Sequence, residues 1–282
     1  MKEAKTVVLY HSHCPDGFGG AYAAWKKFGD KAEYLPVQHG KPPPEATKDA
    51  DVYLIDLCYR GDVMDELVKD AASLVVLDHH QGVEDVVTRM PQYVYDLNRS
   101  GASIAWAYFH PGTPMPELLS FVEDDDLFRF KLLETKPVLA LLSVLPFTFE
   151  KWDELAGELE DPNLRQVFME KAWAYREYFD LLVGYAVERA RLVRFEGHEV
   201  YLGEAHPLKP MESAVGNALA RKKGPFALIV HARRSAVRVS LRGDGTIDVA
   251  AIARKYGGNG HPSSAAFSFP WGTVPPWEKI EE

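Results

Sequence analysis

Ser73-Leu74-Val75-Val76-Leu77-Asp78-His79-His80-Gln81 is an apolar, strand-forming run that ends on three consecutive groups able to bind a metal or move a proton. Such a triplet is costly to bury without a use, and the carboxyl ends of strands are where α/β domains hold ligands. The flanking chain repeats the pattern. Thr6 to Tyr10 reads as a strand that runs into His11-Ser12-His13-Cys14-Pro15-Asp16-Gly17, followed by helical spacing over Phe18 to Phe28. Glu33 to Val37 and Asp51 to Asp56 read as further strands, the latter ending on a carboxylate, and Gly61 to Asp70 as a helix. Strands alternating with helices predict an α/β fold with a mostly parallel sheet flanked by helices.

Beyond it, Gly101 to His110 and Met115 to Phe128 read as helices, the second carrying Glu123-Asp124-Asp125-Asp126. From Lys131 to Leu192 strands vanish and Leu164 to Arg191 forms one long helical pattern rich in aromatics. Strands return from Val193, at Glu199 to Gly203, Phe226 to Ala232 and Ala236 to Leu241, with helices at Ser213 to Arg221 and Val249 to Tyr256. The expected organisation is a metal-binding domain over 1–130, a helical connector over 131–192 and a smaller α/β domain over 193–282. The active-site cleft is expected between the two α/β domains.

The 282 residues are 46% hydrophobic and 26% charged, ordinary globular composition with room for two cores. The longest apolar runs are too short to span a bilayer, and Met1 to Lys5 leads into a strand without a signal-peptide core, so a cytoplasmic protein with no membrane association is expected. Two cysteines, Cys14 and Cys58, without CxxC spacing argue against a disulfide scaffold or a thiolate zinc site. A net charge of −9 is the wrong sign for holding long duplex DNA, so any anionic substrate must be held locally by cations and focused arginines.

At the strand ends of the first domain stand His11, His13 and Asp16, then Asp56, then Asp78, His79 and His80. Neighbouring parallel strands lie about 4.8 Å apart, so these side chains can converge on one or two ions. Imidazole with carboxylate suits Mn²⁺, Co²⁺ or Mg²⁺, and the number of carboxylates favours two ions bridged by a residue such as Asp56.

Asp56, Asp78-His79-His80, the Asp124 segment and Gly257-Gly258-Asn259-Gly260-His261 resemble, in order and spacing, the DHH phosphoesterase superfamily with its associated C-terminal domain. That group includes RecJ-like exonucleases, nanoRNases, cyclic-dinucleotide phosphodiesterases and exopolyphosphatases. The resemblance implies metal ligands at His11, Asp16, Asp56, His79 and Asp124, with Asp126 a substitute for Asp124, and two ions, Mn²⁺ first. It implies catalytic roles for Asp56, His79 and His80, with Asp78 and His80 orienting ligands or touching phosphate. It implies substrate binding by Arg242, the Gly257 to Gly260 loop and His261. One position departs: Cys14 stands where the family usually has an aspartate, with His13 or the thiolate available to help. The expected activity is two-metal hydrolysis of short oligonucleotides or small nucleotides. The alternatives are an exopolyphosphatase-like enzyme and a nucleotide-binding protein weakened in turnover. A homodimer is compatible with the aromatic long helix.

Each position also has a plain structural reading. Asp16-Gly17 and Asp56 alone read as cap or turn residues, Asp124 to Asp126 as a solvated face, and the glycines as a turn before the last strand. His39, His110, His198, His206 and His231 read as ordinary histidines.

Overall fold

The structure is a computed structural model that describes residues 4–38, 40–205 and 209–280; His39 and His206 lie outside the described residues. The chain divides into two compact units, Met1–Arg176 and Glu177–Glu282.

The first unit holds β1 (Thr6–His11), α1 (Pro15–Phe28), β2 (Ala32–Val37), β3 (Asp51–Ile55), α2 (Gly61–Asp70), β4 (Ser73–Asp78), α3 (Glu84–Val87), β5 (Gln92–Tyr95), α4 (Gly101–Phe109), α5 (Glu117–Asp126), α6 (Thr135–Leu142) and α7 (Phe149–Glu160). Its five strands are all parallel in the order β2-β1-β3-β4-β5. A parallel sheet covered on both faces needs apolar residues at successive strand positions. Val7, Leu9, Val52, Leu54, Leu74 and Val76 pack on one face with Met64 and Leu67 of α2 and Val87 of α3. Val8, Ile55, Val75 and Leu77 pack on the other, beneath α1, α4 and α5. Strand β5 was not anticipated; it is short, with Gln92 and Tyr93 exposed at the sheet edge.

The helices expected in a separate connector bury their apolar stripes in this same core. Val138 and Leu141 of α6 and Trp152 and Leu155 of α7 are buried beside Phe18, Leu119 and Phe121. Trp152 has no exposed surface, and its ring meets Phe18 edge-on at 4.9 Å between centroids. Helix α8 (Pro162–Glu188) adds Phe168 and Ala172.

The second unit contains β6 (Arg191–Phe195), β7 (His198–Glu204), α9 (Lys209–Lys222), β8 (Phe226–Ala232), β9 (Ala236–Gly243), α10 (Val249–Lys255), β10 (Asn259–His261), β11 (Ser264–Pro270) and β12 (Glu278–Lys279). The sheet order is β10-β11-β9-β8-β7-β6-β12, antiparallel except for the β7–β8 pair that α9 connects. Val215 and Leu219 of α9 pack on one face with Ala227 and Ile229, and Val249 and Ala253 of α10 on the other with Leu228, Val239 and Leu241. The α/β fold class holds in both units. Among the described residues no helix is long and apolar enough to cross a membrane.

Candidate metal centre

Strand order alone brings three of the sequence motifs side by side. β1 lies next to β3 and β3 next to β4, all parallel, so His11, Asp56 and the Asp78-His79-His80 segment leave the sheet at the same edge. Asp56 follows β3 in a left-handed conformation, φ 54°, which aspartate tolerates better than most residues. Its backbone N–H still donates to Leu77 O at 2.9 Å.

Asp16 enters from the first turn of α1 and is 1% exposed. Its oxygens accept from the Gly101 and Ala102 N–H groups at 2.6 and 2.9 Å, at the N-terminus of α4 where unpaired amides favour an anion. A Cβ on Gly101 would lie 2.7 Å from the Asp56 Cβ, so only glycine lets α4 come this close. Each carboxylate oxygen has a second lone pair, so these bonds leave Asp16 able to ligate.

His79 is the centre of the arrangement. Its Nε2 lies 3.3 Å from Asp56 Oδ1, 3.4 Å from Asp126 Oδ2 and 3.6 Å from Asp16 Oδ2. Both His79 Nε2 and Asp56 Oδ1 are buried without a hydrogen-bond partner. Ligands about 2.1 Å from one ion and adjacent in an octahedron stand roughly 3 Å apart, so these separations fit a divalent cation. The other Asp56 oxygen turns elsewhere: Oδ2 is 3.3 Å from His11 Nδ1. His11, Cys14 and Asp56 form one group whose potential ligand atoms lie within 4.8 Å of one another; Asp16, His79 and Asp126 form another, and Asp56, His79 and His80 a third.

The electrostatics agree with a site short of positive charge. Burial and then the Asp56 and Asp126 carboxylates push the Asp16 carboxyl well above the usual range, and burial followed by Asp56 raises Asp126. Burial opposes ionisation of Asp56, yet His11, His79 and His80 hold its pKa below the ordinary value. Burial, Asp56 and Asp16 raise the Cys14 thiol. Asp78 holds the turn together, its Oδ1 accepting from the His79 and His80 N–H groups at 2.6 and 2.8 Å and lying 2.8 Å from His80 Nδ1. That contact raises the His80 imidazole to about 9.

Asp124 does not reach the cluster. Its carboxylate accepts from the Lys131 and Leu132 N–H groups at 2.9 and 3.1 Å and from the Thr135 hydroxyl, which fastens the loop after α5. Two residues along a helix turn a side chain through about 200°, so Asp126 takes the position the resemblance assigned to Asp124. Asp125, raised to about 6 chiefly by burial, joins none of the three groups, and His13 is exposed.

The second unit gathers the substrate-binding candidates differently. Arg242, Asn259 and Gly260 line a cavity of about 320 Å³ together with Glu212, Arg233, Arg238 and Ser264. Gly257, Gly258 and His261 are not in its lining, and the expected loop closes into β10, paired with β11. A Cβ on Gly258 would lie 2.2 Å from Ala266 O, so that glycine serves the hairpin. Buried Glu212 accepts from Ser240 Oγ at 2.8 Å and lies 3.0 Å from His231 Nδ1 and 3.8 Å from Arg242 Nη2. Sequence reasoning missed Glu212 and Arg238, read His231 as an ordinary histidine, and left Arg233-Arg234 between a guide for an anionic substrate and a solvated pair. The signal for one of them was present: Arg238, Ser240 and Arg242 alternate along β9 with the core residues Val239 and Leu241.

The sequence matches no profile of a known protein family. It is 26% identical over 306 aligned residues to the uncharacterized protein R106 of Acanthamoeba polyphaga mimivirus, covering all of this chain and 72% of that one. Among solved structures it is similar to the pGpG-specific phosphodiesterase PggH of Vibrio cholerae, with a TM-score of 0.55, 14% identity, and 95% and 94% of the two chains covered. RecJ from Thermus thermophilus in complex with Mn²⁺ gives a TM-score of 0.48 at 12% identity, over 94% of this chain and 50% of RecJ. The likeness to PggH is one of fold, and it extends over both units.

Proposed function

We propose that this chain is a metal-dependent phosphoesterase that hydrolyses phosphoester bonds of short oligonucleotides or small nucleotides. The observation that carries this reading is His79 Nε2, buried and unbonded, facing oxygens of Asp16, Asp56 and Asp126. Leaving such groups unpaired costs about 1–3 kcal/mol each, a cost that a bound cation removes. The residues that would hold two ions are His11, Asp16, Asp56, His79 and Asp126, with Asp56 facing both positions. When bound, divalent ions of the Mn²⁺ or Mg²⁺ type polarise phosphoryl oxygens and bring the pKa of water to near neutrality.

The chain's own groups then define the rest. Asp56 and Asp16 are fixed by β3 and by the N-terminus of α4, so the ligand positions are set before substrate arrives. Asp78, which belongs to none of the metal groups, is the main cause that holds His80 protonated at neutral pH in the metal-free chain. With its side chain 46% exposed, His80 can donate to a phosphoryl oxygen or to a departing alkoxide. In the second unit Arg242, with Arg238 and Arg233, offers planar donors suited to a phosphate.

The test is a panel of linear dinucleotide, phosphoadenosine phosphate, cyclic dinucleotide and polyphosphate, each incubated with the chain and Mn²⁺. Mononucleotide release from the linear dinucleotide, lost in Asp56→Ala, is expected. Hydrolysis of polyphosphate alone would replace this reading with the exopolyphosphatase-like one, and tight binding without turnover would replace it with a binding protein.

A further inference from the structure

Cys14 is the one member of the three metal-compatible groups that is neither a carboxylate nor an imidazole. It occupies the N-cap of α1 but makes no side-chain cap hydrogen bond. Capping therefore does not account for cysteine here: Ser, Thr, Asp and Asn are the residues that stabilise an N-cap, by about 1 kcal/mol over residues that cannot accept the bond. Disulfide pairing does not account for it either, since Cys14 and Cys58 are both free. What the fold does with Cys14 is set it beside His11 and Asp56, with the three ligand atoms within 4.8 Å of one another. Asp56 is 1% exposed; its Oδ2 lies 3.3 Å from His11 Nδ1, while its Oδ1, buried without a hydrogen-bond partner, faces His79.

The two sides of Asp56 differ in ligand chemistry. On one, Asp16, His79 and Asp126 offer two carboxylates and an imidazole. On the other, His11 and Cys14 offer an imidazole and a thiol. Carboxylate-rich sets suit Mg²⁺ and Mn²⁺, while thiolate selects softer ions such as Zn²⁺. A thiol that coordinates a metal gives up its proton outright.

Resting on the metal-centre reading above, we propose that the Cys14 thiolate is a metal ligand and that the centre is chemically asymmetric. His11, Cys14 and Asp56 take a zinc-like ion, and Asp16, His79 and Asp126, sharing Asp56, take a manganese-like one. As the metal–sulfur bond forms, the thiol proton passes to solvent.

Cobalt(II) is the probe, because thiolate bound to it gives an intense near-ultraviolet charge-transfer band that oxygen and nitrogen ligands do not. The full chain carrying Cys58→Ser removes the other thiol. Titrated with Co²⁺, this protein is expected to show the charge-transfer band together with weak visible bands. Adding Cys14→Ser is expected to abolish the first and keep the second. X-ray absorption of the zinc-loaded natural chain, which needs no variant to fold, is expected to show a sulfur at about 2.3 Å. Cys14→Asp is expected to lower the preference for Zn²⁺ over Mn²⁺ by roughly tenfold or more. Visible cobalt bands without charge transfer, a band that survives Cys14→Ser, or a zinc shell of oxygen and nitrogen only would overturn the asymmetric centre and leave the phosphoesterase reading standing. Failure of the chain to bind cobalt at all would overturn both.

Discussion

At the carboxyl edge of the first sheet, three carboxylate oxygens surround His79 Nε2 and none bonds it, whereas in the second unit the buried carboxylate of Glu212 is met by Ser240, His231 and Arg242. Both regions bury charge, and they differ in whether protein groups already balance it. Unbalanced buried carboxylates need a cation from outside, as burial of unpaired charge is strongly unfavourable. In the second unit one carboxylate faces three arginines in a shared cavity, which leaves positive charge in excess and suits an anion. The first region thus suits a cation and the second an anion.

The most severe way to break this division is Asp56→Ala. Activity with Mn²⁺ is expected to fall on the order of 10³-fold or more, because the residue facing both ion positions is lost. The same change is expected to lower the melting temperature of the metal-free chain modestly, since His11, His79 and His80 hold the Asp56 pKa below its ordinary value while Asp16 and Asp126 are pushed up by it. An equal loss of melting temperature with and without Mn²⁺ would show that Asp56 is a structural residue. The matching change in the other region, Arg242→Ala, is expected to cost roughly 10–100-fold in kcat/KM, mainly through KM. Unaltered affinity for Mn²⁺, measured by calorimetry, would accompany it.

A finer test separates two aspartates two residues apart. Asp126→Asn is expected to weaken metal binding about tenfold with little change in stability. Asp124→Asn is expected to lower stability by about 1–3 kcal/mol through the Lys131, Leu132 and Thr135 contacts while metal affinity holds. Reversal of the two phenotypes would restore the assignment that the motif order suggested.

That assignment shows where sequence reading stops. His11, Asp56 and His79 were legible because a carboxyl-terminal strand end is fixed by chain order, and parallel pairing makes those ends neighbours. Asp124 and Asp126 were not separable, because the helix phase at the end of α5 depends on which carboxylate the following loop binds. In the second unit the helical pattern ran to Arg191 and hid the start of β6. The turn that pairs β6 with β7, Glu196-Gly197 with φ 51° and 79°, is a hairpin signal that the pattern overrode. The Glu212 network was out of reach, since it forms only when α9 docks on β8 and β9.

The smallest effect expected is a change in the sign of the stability profile with pH. His80 has a folded pKa of about 9, raised chiefly by Asp78 from an ordinary value near 6.5. Its contribution to stability is therefore complete below about pH 6.5 and disappears as the pH rises through about 9. Asp16 and Asp126 act in the same direction, because a carboxyl whose pKa is raised by folding disfavours the native state once it ionises. Asp56, lowered instead, stabilises above its unfolded pKa of about 4 and loses that effect only in stronger acid. The metal-free chain should then lose thermal stability from pH 6.5 to 9, modestly, since the His80 side chain is 46% exposed and water screens its pair. His80→Asn should flatten that window and leave the slope below it. Saturating Mn²⁺ should reverse the trend, because ligands must be deprotonated to bind and a cation turns the repulsion among Asp16, Asp56 and Asp126 into coordination. Melting curves with and without Mn²⁺ at each pH decide it: parallel profiles would mean that these carboxylates do not share an ion.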